Sequence, residues 1–273
     1  MPSIQERKEH SSRHNITMTK VPFYIHDFLN AVPVIYPVYE QKIDTALELR
    51  LSDPSRIADV SREGSTFSGV IPSVAAMNRN DLIIIDSFCI ASKGQVKTVC
   101  FYSEKPLEEV RSVILDGRSR TSHLMLKLIF SLKGIKLPTF IIDTVNQDAI
   151  QSGISDGFLI IGDDNIVYEK ELSALIKYDL GELWFSLTGK KFVHAITVTN
   201  NLNEVDTLKN ALKTCLEYSF GHFDDLIRYA SKRYGLNERF CTEYLKNIIL
   251  YEFDKESEEG LKTFHQFSKK IIL

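Results

Sequence analysis

The stretch LDGRSRTSHLMLKLIF, residues 115–130, joins two apolar segments through a turn that is rich in hydroxyl groups and arginines. The first apolar segment, RSVILD, predicts a buried strand that Gly117 ends. Ser119 or Thr121 can cap a helix over about residues 122–133, because serine and threonine hydroxyls accept from the unpaired amides of a first helical turn. The stretch therefore predicts a strand, a turn and a helix in succession, as in an α/β fold.

The same alternation of strands and helices extends over the first two-thirds of the chain. Further strands are predicted by segments rich in Ile, Val and Phe, which are DLIIIDSFCIAS, VKTVCFYS, PTFIID, GFLIIGDD and HAITVT. A short helix follows Pro106. Beyond Asn200, apolar residues such as Leu208 and Leu212 recur at helical spacing, which predicts a run of helices over about the last 70 residues. We therefore predict an α/β fold with a mainly parallel sheet and a helical C-terminal segment.

Composition narrows the class of protein. The chain has 273 residues, of which 44% are hydrophobic and 25% charged, as in a globular protein of one or two lobes. A net charge of −3 disfavours a nucleic-acid partner, since such proteins usually carry a basic stripe. No apolar run is long enough to span a membrane. Residues 1–20 form a polar segment without the apolar centre of a signal peptide, so we expect a flexible tail and a cytoplasmic protein.

The cysteines and histidines do not form a metal-binding pattern. Four cysteines are separated by long intervals, without a CxxC pair, and the histidines are scattered. We expect no metal site and no disulfide framework, and we interpret Cys89, Cys100, Cys215 and Cys241 as reduced, buried thiols.

The turn at residues 117–122 has two interpretations. Helix N-termini bind anions, because their amides are unpaired and the helix dipole is positive there, and Arg118 or Arg120 would add a charge-assisted bond to a carboxylate. The alternative is ordinary helix capping, since serine and threonine gather at helix starts with or without a ligand.

Six segments in one order resemble a known family, and the resemblance covers about residues 22–264. They are FLNAVPVIYP, FSGVIPSVAAM, IASKGQVKTVCFYS, VILDGRSRTS, LIIGDDNI and YDLGELWFSLTGKKFVHAITV. The family they resemble is the chorismate dehydratases of menaquinone biosynthesis by the futalosine pathway. The segment VILDGRSRTS matches the family motif LDxxSRTS throughout.

The resemblance implies a periplasmic-binding-protein-like fold of type II, in which two α/β lobes flank a ligand cleft. We place the two crossings between lobes at residues 96–103 and 194–199. The first lobe would then comprise residues 21–103 and 197–273, and the second lobe residues 104–196. Ligands of such folds bind where strand ends and helix starts of the two lobes converge.

The resemblance also implies an activity and a set of site residues. The family converts chorismate, a small dicarboxylate, to 3-[(1-carboxyvinyl)oxy]benzoate and water, and it needs no cofactor. By motif position, the residues expected to be catalytic are Asn30 and Thr98. Those expected to bind substrate are Ser73, Ser92, Ser119, Arg120, Thr121, Ser122, Asp163 and His194.

Several of these assignments have a structural alternative. Asn30 also suits a turn, Thr98 suits a β-strand, and Asp163 suits the cap of a loop. Ser73 also suits a helix cap after a proline, and His194 also suits a buried core position.

Several departures from the family pattern suggest a divergent member. Lys93, Gln95 and Thr98 stand where the family has Asp, Pro and Ser, and Lys93 adds a positive charge suited to an anionic ligand. His123 replaces an apolar residue, and we expect it on the helix surface. No carboxylate pair suggests a proton acceptor, and a carboxylate of the substrate itself is one candidate for that role.

Two further functions therefore remain open. The chain fits a cytoplasmic binding module that closes on a small carboxylate without converting it. It also fits a relative of the dihydroxynaphthoate synthase of the same pathway, although the opening motif of that enzyme differs from FLNAVPVIY.

Overall fold

The computed structural model describes residues 19–145, 150, 153–168 and 170–272. The predicted flexible tail lies outside the described residues, except for Thr19 and Lys20. No helix in the described part of the chain combines the length and the apolar character that are needed to cross a membrane.

The described strands form a six-stranded and a five-stranded sheet. In chain order the strands are β1 (Val21–Ile25), β2 (Leu47–Leu51), β3 (Ser68–Pro72), β4 (Ile83–Ser92), β5 (Val99–Ser103), β6 (Ser112–Asp116), β7 (Thr139–Asp143), β8 (Gly157–Ile161), β9 (Ile176–Asp179), β10 (Phe192–Thr199) and β11 (Ile249–Leu250). The first sheet has the order β11-β4-β10-β3-β1-β2, and the second has the order β7-β6-β8-β5-β9. The segments predicted as strands all contain one.

Helices cover the sheets and make up most of the C-terminal segment. In chain order the α-helices are α1 (Val32–Tyr39), α2 (Pro54–Val60), α3 (Ser73–Ala76), α4 (Arg120–Leu132), α5 (Asp164–Val167), α6 (Leu180–Thr188), α7 (Val205–Gly221), α8 (Phe223–Tyr234), α9 (Glu238–Glu243) and α10 (Lys255–Ile272). Short 3₁₀ turns lie at Leu29–Ala31, Leu107–Glu109 and Leu202–Glu204, and a π-helical turn lies at Tyr244–Ile248. The predicted C-terminal helical run is confirmed, with the short strand β11 as its one interruption among the described residues.

The predicted strand, turn and helix at residues 111–133 form as expected. All of β6 except Ser112 is buried, as is typical of a strand with neighbours on both sides and cover on its faces. Ser119 is the N-cap of α4, where its side chain accepts from the Ser122 amide. Gly134 follows the helix with a φ of 69°, a left-handed conformation that glycine adopts without a steric penalty.

The prediction of a mainly parallel sheet is wrong, because both sheets are mixed. In the first sheet, β1 runs parallel to β2 and β3, whereas β10 runs antiparallel to β3 and β4. In the second, β6 runs parallel to β7 and β8, whereas β5 runs antiparallel to β8 and β9. The antiparallel pairs arise where the chain leaves one sheet for the other and later returns.

The chain changes sheets between β4 and β5, and it returns between β9 and β10. Strand β5 therefore belongs to the second sheet, although its residues were assigned to the first lobe, and β10 belongs to the first sheet, although residues 192–196 were assigned to the second lobe. The lobe boundaries themselves remain a prediction.

One large apolar cluster extends through both sheets and the C-terminal helices. Trp184 of α6 is fully buried and contacts Phe192 of β10 and Phe264 of α10 edge-on, with ring centroids 5.3 and 5.7 Å away. This packing holds the C-terminal helix against the point where the chain re-enters the first sheet. The cleft that this arrangement leaves between the two sheets is the natural place for a ligand.

Candidate active site in the cleft

A cavity lies between the two sheets. Strand ends from both sheets meet there: His26 follows β1, Pro72 ends β3, Thr98 precedes β5 and Ile161 ends β8. Six of the predicted site residues line it, namely Asn30, Thr98, Ser119, Thr121, Ser122 and His194. The fold thus brings together residues from four separate segments of the sequence.

Asn30 lies in the 3₁₀ turn Leu29–Ala31, directly after β1. Its side-chain oxygen lies 2.8 Å from Nε2 of His26. An amide oxygen only accepts, so the His26 ring must donate from Nε2. Burial lowers the pKa of His26, which keeps the ring neutral. The Asn30 amide is therefore held with its oxygen occupied and its NH₂ group available to donate.

Thr98 is held at the start of β5 by both its side chain and its backbone. Its hydroxyl lies 2.8 Å from the hydroxyl of Tyr244. Its carbonyl accepts from the Gly162 amide at 2.7 Å and from Nδ2 of Asn165 at 3.0 Å. Burial raises the pKa of Tyr244, so the phenol keeps its proton. These contacts fix the Thr98 side chain in a defined orientation, and Thr98 is one of the residues that line the cavity.

The first turn of α4 forms another wall of the cavity. The Ser119 and Ser122 hydroxyls lie 2.8 Å apart. Oγ1 of Thr121 accepts from the Val74 amide at 3.2 Å, which ties α4 to α3 on the opposite sheet. The N-terminus of a helix of 13 residues therefore faces the cleft, together with hydroxyl donors.

His194 lies on β10 with its ring paired to a serine. Its Nε2 lies 2.9 Å from Oγ of Ser92, the last residue of β4. Burial lowers the pKa of His194 to about 3, so the ring is neutral at physiological pH. Ser73 is fully buried, and its hydroxyl donates to the carbonyl of Val193 at 2.6 Å. Ser73 and Ser92 therefore lie behind the cavity wall rather than on it.

Arg120 and Asp163 also lie off the cavity wall, at its edges. Arg120 pairs with Asp59 of α2 at 2.8 Å, with both side chains partly exposed. Asp163 accepts from the Leu29 amide at 3.1 Å. Burial raises the pKa of Asp163 to about 7, against the lesser opposing effect of that hydrogen bond. The substrate-binding roles assigned to Arg120, Asp163, Ser73 and Ser92 remain predictions.

Two expectations from the sequence need correction. His123 is buried instead of lying on the helix surface, and its Nε2 lies 2.6 Å from the Asp116 carbonyl, because the first turn of α4 packs back on the end of β6. Lys93 does not direct its charge into the cleft, because its ammonium pairs with Glu256 at 3.1 Å on the exposed side of the strand end.

The electrostatic character of the cavity comes from dipoles rather than from charged side chains. Among the described residues that line it, there is no Lys, Arg, Asp or Glu. Arg118, next to the cap of α4, pairs instead with Asp116 and Asp164. A bound anion would therefore be stabilised by the N-terminus of α4 and by neutral donors.

A family model described as menaquinone biosynthesis matches residues 25–270. The chain belongs to the menaquinone-biosynthesis family. The family resemblance inferred from the six sequence segments is thereby confirmed.

A curated relative of this family member is the chorismate dehydratase of Thermus thermophilus. The two sequences are 25% identical over 211 residues, which cover 68% of this chain and 73% of the relative.

Solved structures confirm the periplasmic-binding-protein-like fold of the family member. A protein from Archaeoglobus fulgidus superposes with a TM-score of 0.76 at 16% identity, over 93% of this chain and 98% of the other. The periplasmic aliphatic sulphonate binding protein of Escherichia coli superposes with a TM-score of 0.62 at 13% identity, over 93% of each chain.

Two residues at the site were not predicted from the sequence, His26 and Tyr244. His26 precedes Asn30 by four positions, but the turn between them is 3₁₀ and no motif includes both. Tyr244 lies in the C-terminal helical segment, where its apolar neighbours indicate only a core position. The nearness of His26 to Asn30 in the sequence was a weak signal, and the sequence carries no signal that would have connected Tyr244 with Thr98.

Proposed function

We propose that this member of the menaquinone-biosynthesis family is a chorismate dehydratase that forms 3-[(1-carboxyvinyl)oxy]benzoate in the futalosine pathway. The observation that carries the proposal is the meeting of Asn30, Thr98 and the N-terminus of α4 in one cavity. The Thermus thermophilus relative supports the choice of substrate. The proposed location is the cytoplasm.

The start of α4 is the proposed binding place for one substrate carboxylate. Its first-turn amides and the Ser119 and Ser122 hydroxyls are donors that match a carboxylate, and the helix dipole favours negative charge there. The cavity lacks a charged side chain among its described lining residues, so this carboxylate would be held without forming an ion pair.

Asn30 and Thr98 are proposed to act on the ring hydroxyl that leaves. The carbon–oxygen bond breaks with its electron pair on oxygen, and the neighbouring ring carbon loses a proton. Hydroxide and proton together make the released water, and the ring becomes aromatic. Donors aimed at the developing charge on the departing oxygen lower the barrier, since they need no reorganisation during the reaction. The Asn30 NH₂ group and the Thr98 hydroxyl are such donors at the cavity wall.

The proton acceptor is proposed to be a carboxylate of the substrate itself. No Asp or Glu lies among the described lining residues, and His194, with its pKa lowered to about 3, is a weak base. The elimination involves no net oxidation or reduction, so the proposed reaction calls for no redox cofactor.

The test is incubation of the purified protein with chorismate and no added cofactor, followed by mass spectrometry. We expect a product lighter by one water. Asn30→Ala should lower kcat by about 10²–10³-fold, as loss of one donor to a developing oxyanion does. Asn210→Ala, at an exposed position of α7, is the matched control and should retain wild-type turnover. Turnover by Asn30→Ala at the wild-type rate would refute this site assignment.

A binding module without catalysis is the second candidate. It is favoured by the absence of an acidic or basic side chain with an unshifted pKa among the described lining residues. This function predicts that chorismate raises the melting temperature of the protein and is recovered unchanged after long incubation. The dehydratase proposal would then be wrong.

A further inference from the structure

We propose that His26 and Tyr244 are positioning residues that each fix one catalytic candidate by a hydrogen bond, His26 at Asn30 and Tyr244 at Thr98. The two hydrogen bonds leave the Asn30 NH₂ group and the Thr98 proton available as donors. Their kinetic consequence rests on the proposed dehydratase function, whereas the direction of each hydrogen bond follows from the contacts.

The first of these hydrogen bonds has His26 as its donor. Its Nε2 lies 2.8 Å from the Asn30 oxygen, which has no hydrogen to give. The ring is buried and neutral, so its one N–H must be at Nε2. The Asn30 amide is thereby held with its NH₂ group directed away from His26.

The second hydrogen bond joins Tyr244 to Thr98, whose hydroxyls lie 2.8 Å apart. Burial raises the pKa of Tyr244, so the phenol keeps its one proton. The Thr98 hydroxyl donates to the Val96 carbonyl at 3.4 Å, so its oxygen is the acceptor for the Tyr244 proton.

The proton of Thr98 is directed away from Tyr244, because the Thr98 oxygen accepts from the phenol. Among the described residues, the partner of this proton is the Val96 carbonyl at 3.4 Å, a long hydrogen bond. A departing hydroxyl at normal hydrogen-bonding distance would replace that carbonyl as the acceptor. The hydrogen bond from Tyr244 thus prevents the Thr98 hydroxyl from turning its proton inward.

The arrangement also fits a cavity whose described lining residues include no Lys, Arg, Asp or Glu. Without ionised groups on the cavity wall, the charge on a leaving oxygen must be met by neutral donors with fixed orientation. A hydrogen bond polarises the group that accepts it, so His26 strengthens Asn30 as a donor and Tyr244 strengthens Thr98. His26 and Tyr244 therefore act through Asn30 and Thr98, without contacting the substrate oxygen.

The kinetic test compares Tyr244→Phe with Tyr251→Phe. Both tyrosines are buried, but among the described residues the Tyr251 hydroxyl has no hydrogen-bond partner. Tyr244→Phe should lower kcat by about tenfold to a hundredfold with KM within about threefold of wild type. Tyr251→Phe should leave both constants unchanged. Equal losses of kcat in the two variants would mean that general packing is responsible and not the hydrogen bond from Tyr244 to Thr98. That result would overturn the proposal.

A rescue series tests His26. His26→Gln keeps an N–H near the position of Nε2, whereas His26→Leu fills the space without a donor. We expect His26→Leu to lose about tenfold to a hundredfold in kcat, and His26→Gln to recover most of that loss. Identical kcat values for the two variants would contradict the proposed role of His26.

A measurement without substrate separates this proposal from the proposed function. Nitrogen-15 spectra of the histidine rings at neutral pH, assigned with His26→Gln, should show His26 neutral with its proton on Nε2. A proton on Nδ1, or on both nitrogens, would overturn the proposed hydrogen bond from His26 to Asn30 whatever the activity. If wild-type protein fails to convert chorismate, the proposed function falls, and these spectra still decide the direction of that hydrogen bond.

Discussion

Thr98 lines the cleft and is held by hydrogen bonds to its hydroxyl and to its carbonyl. The two contacts differ in what they require of the residue. The carbonyl is met by the Gly162 amide and the Asn165 side chain whatever the side chain at position 98, whereas the hydroxyl contact to Tyr244 needs an oxygen. A serine, as the family motif has, therefore meets the same requirements.

Substitution of Thr98 tests this distinction. We expect Thr98→Val, which keeps the shape of the side chain, to lower kcat by about 10²–10³-fold, because it removes the donor. Thr98→Ser should keep kcat within about tenfold of the wild-type value. Steady-state rates of chorismate loss measure both. A fully active valine variant would show that the hydroxyl has no part in turnover.

Asp163 gives a prediction on pH and stability. Its pKa is raised from 3.8 to about 7, chiefly by burial and also by Asp164 and Asp27. The folded protein therefore binds a proton that the unfolded chain has lost between these values, and stability falls as the pH rises through that range. Relative to Asp163→Asn, the free energy of unfolding of wild type should fall by roughly 1–4 kcal/mol between about pH 4 and pH 7.

Urea denaturation of the two proteins at several pH values measures this difference. Asparagine keeps an oxygen that can accept from the Leu29 amide, so the comparison isolates the charge. A difference that stays constant from about pH 4 to pH 7 would contradict the raised pKa.

At the scale of elements, the first turn of α4 contributes both to the stability of the fold and to the proposed ligand site. The Ser119 side chain caps the helix by accepting from the Ser122 amide, and its hydroxyl also lines the cavity. Ordinary capping and anion binding, the two interpretations of the sequence, are therefore compatible in one residue.

Ser119→Ala should cost about 1 kcal/mol in unfolding free energy, the usual effect of losing an N-cap. It should also raise KM for chorismate severalfold, because a hydroxyl donor is lost from the proposed carboxylate site. Ser131→Ala, at an exposed position later in the same helix, is the control and should change neither quantity appreciably. Denaturation and initial-rate measurements together distinguish the two effects, and an unchanged KM would remove Ser119 from the binding site.

At the scale of the whole molecule, three of the polar contacts that connect the two sides of the cleft come from elements at its edges. They are the ion pair of Asp59 with Arg120, the bond from the Val74 amide to Thr121, and the bond from the Leu29 amide to Asp163. Each one joins an element beside the first sheet to an element beside the second. In this structure an ion pair and hydrogen bonds therefore connect the two sides of the cleft.

Exchange of charges across the cleft tests the contribution of the ion pair. Asp59 and Arg120 are partly exposed, so breaking the pair should change the unfolding free energy by less than about 1 kcal/mol. KM should rise severalfold in Arg120→Asp and in Asp59→Arg, since like charges then oppose closure, and the double exchange should restore it. Rates at low and high salt measure the effect, which should shrink as screening increases. A double exchange no better than the single variants would contradict a bridging role.

Local patterns in the sequence sufficed for much of the fold. The apolar runs, the cap at Ser119 and the helical spacing after Asn200 predicted the strands and helices, because such elements depend on neighbours within a few residues. The mixed pairing of the sheets was missed, since strand direction depends on where the chain crosses between sheets and no local pattern records that.

For the site, the sequence by itself determined the chemical types and their family motifs: an amide at Asn30, a hydroxyl at Thr98 and a hydroxyl-rich helix start at residues 119–122. Only the tertiary structure decided which of them meet. It placed Ser73 and Ser92 behind the cavity wall, and it brought His26 and Tyr244, from opposite ends of the chain, against Asn30 and Thr98. The physical reason is that a hydrogen bond depends on distance in space, and two sheets that exchange strands bring distant segments within that distance.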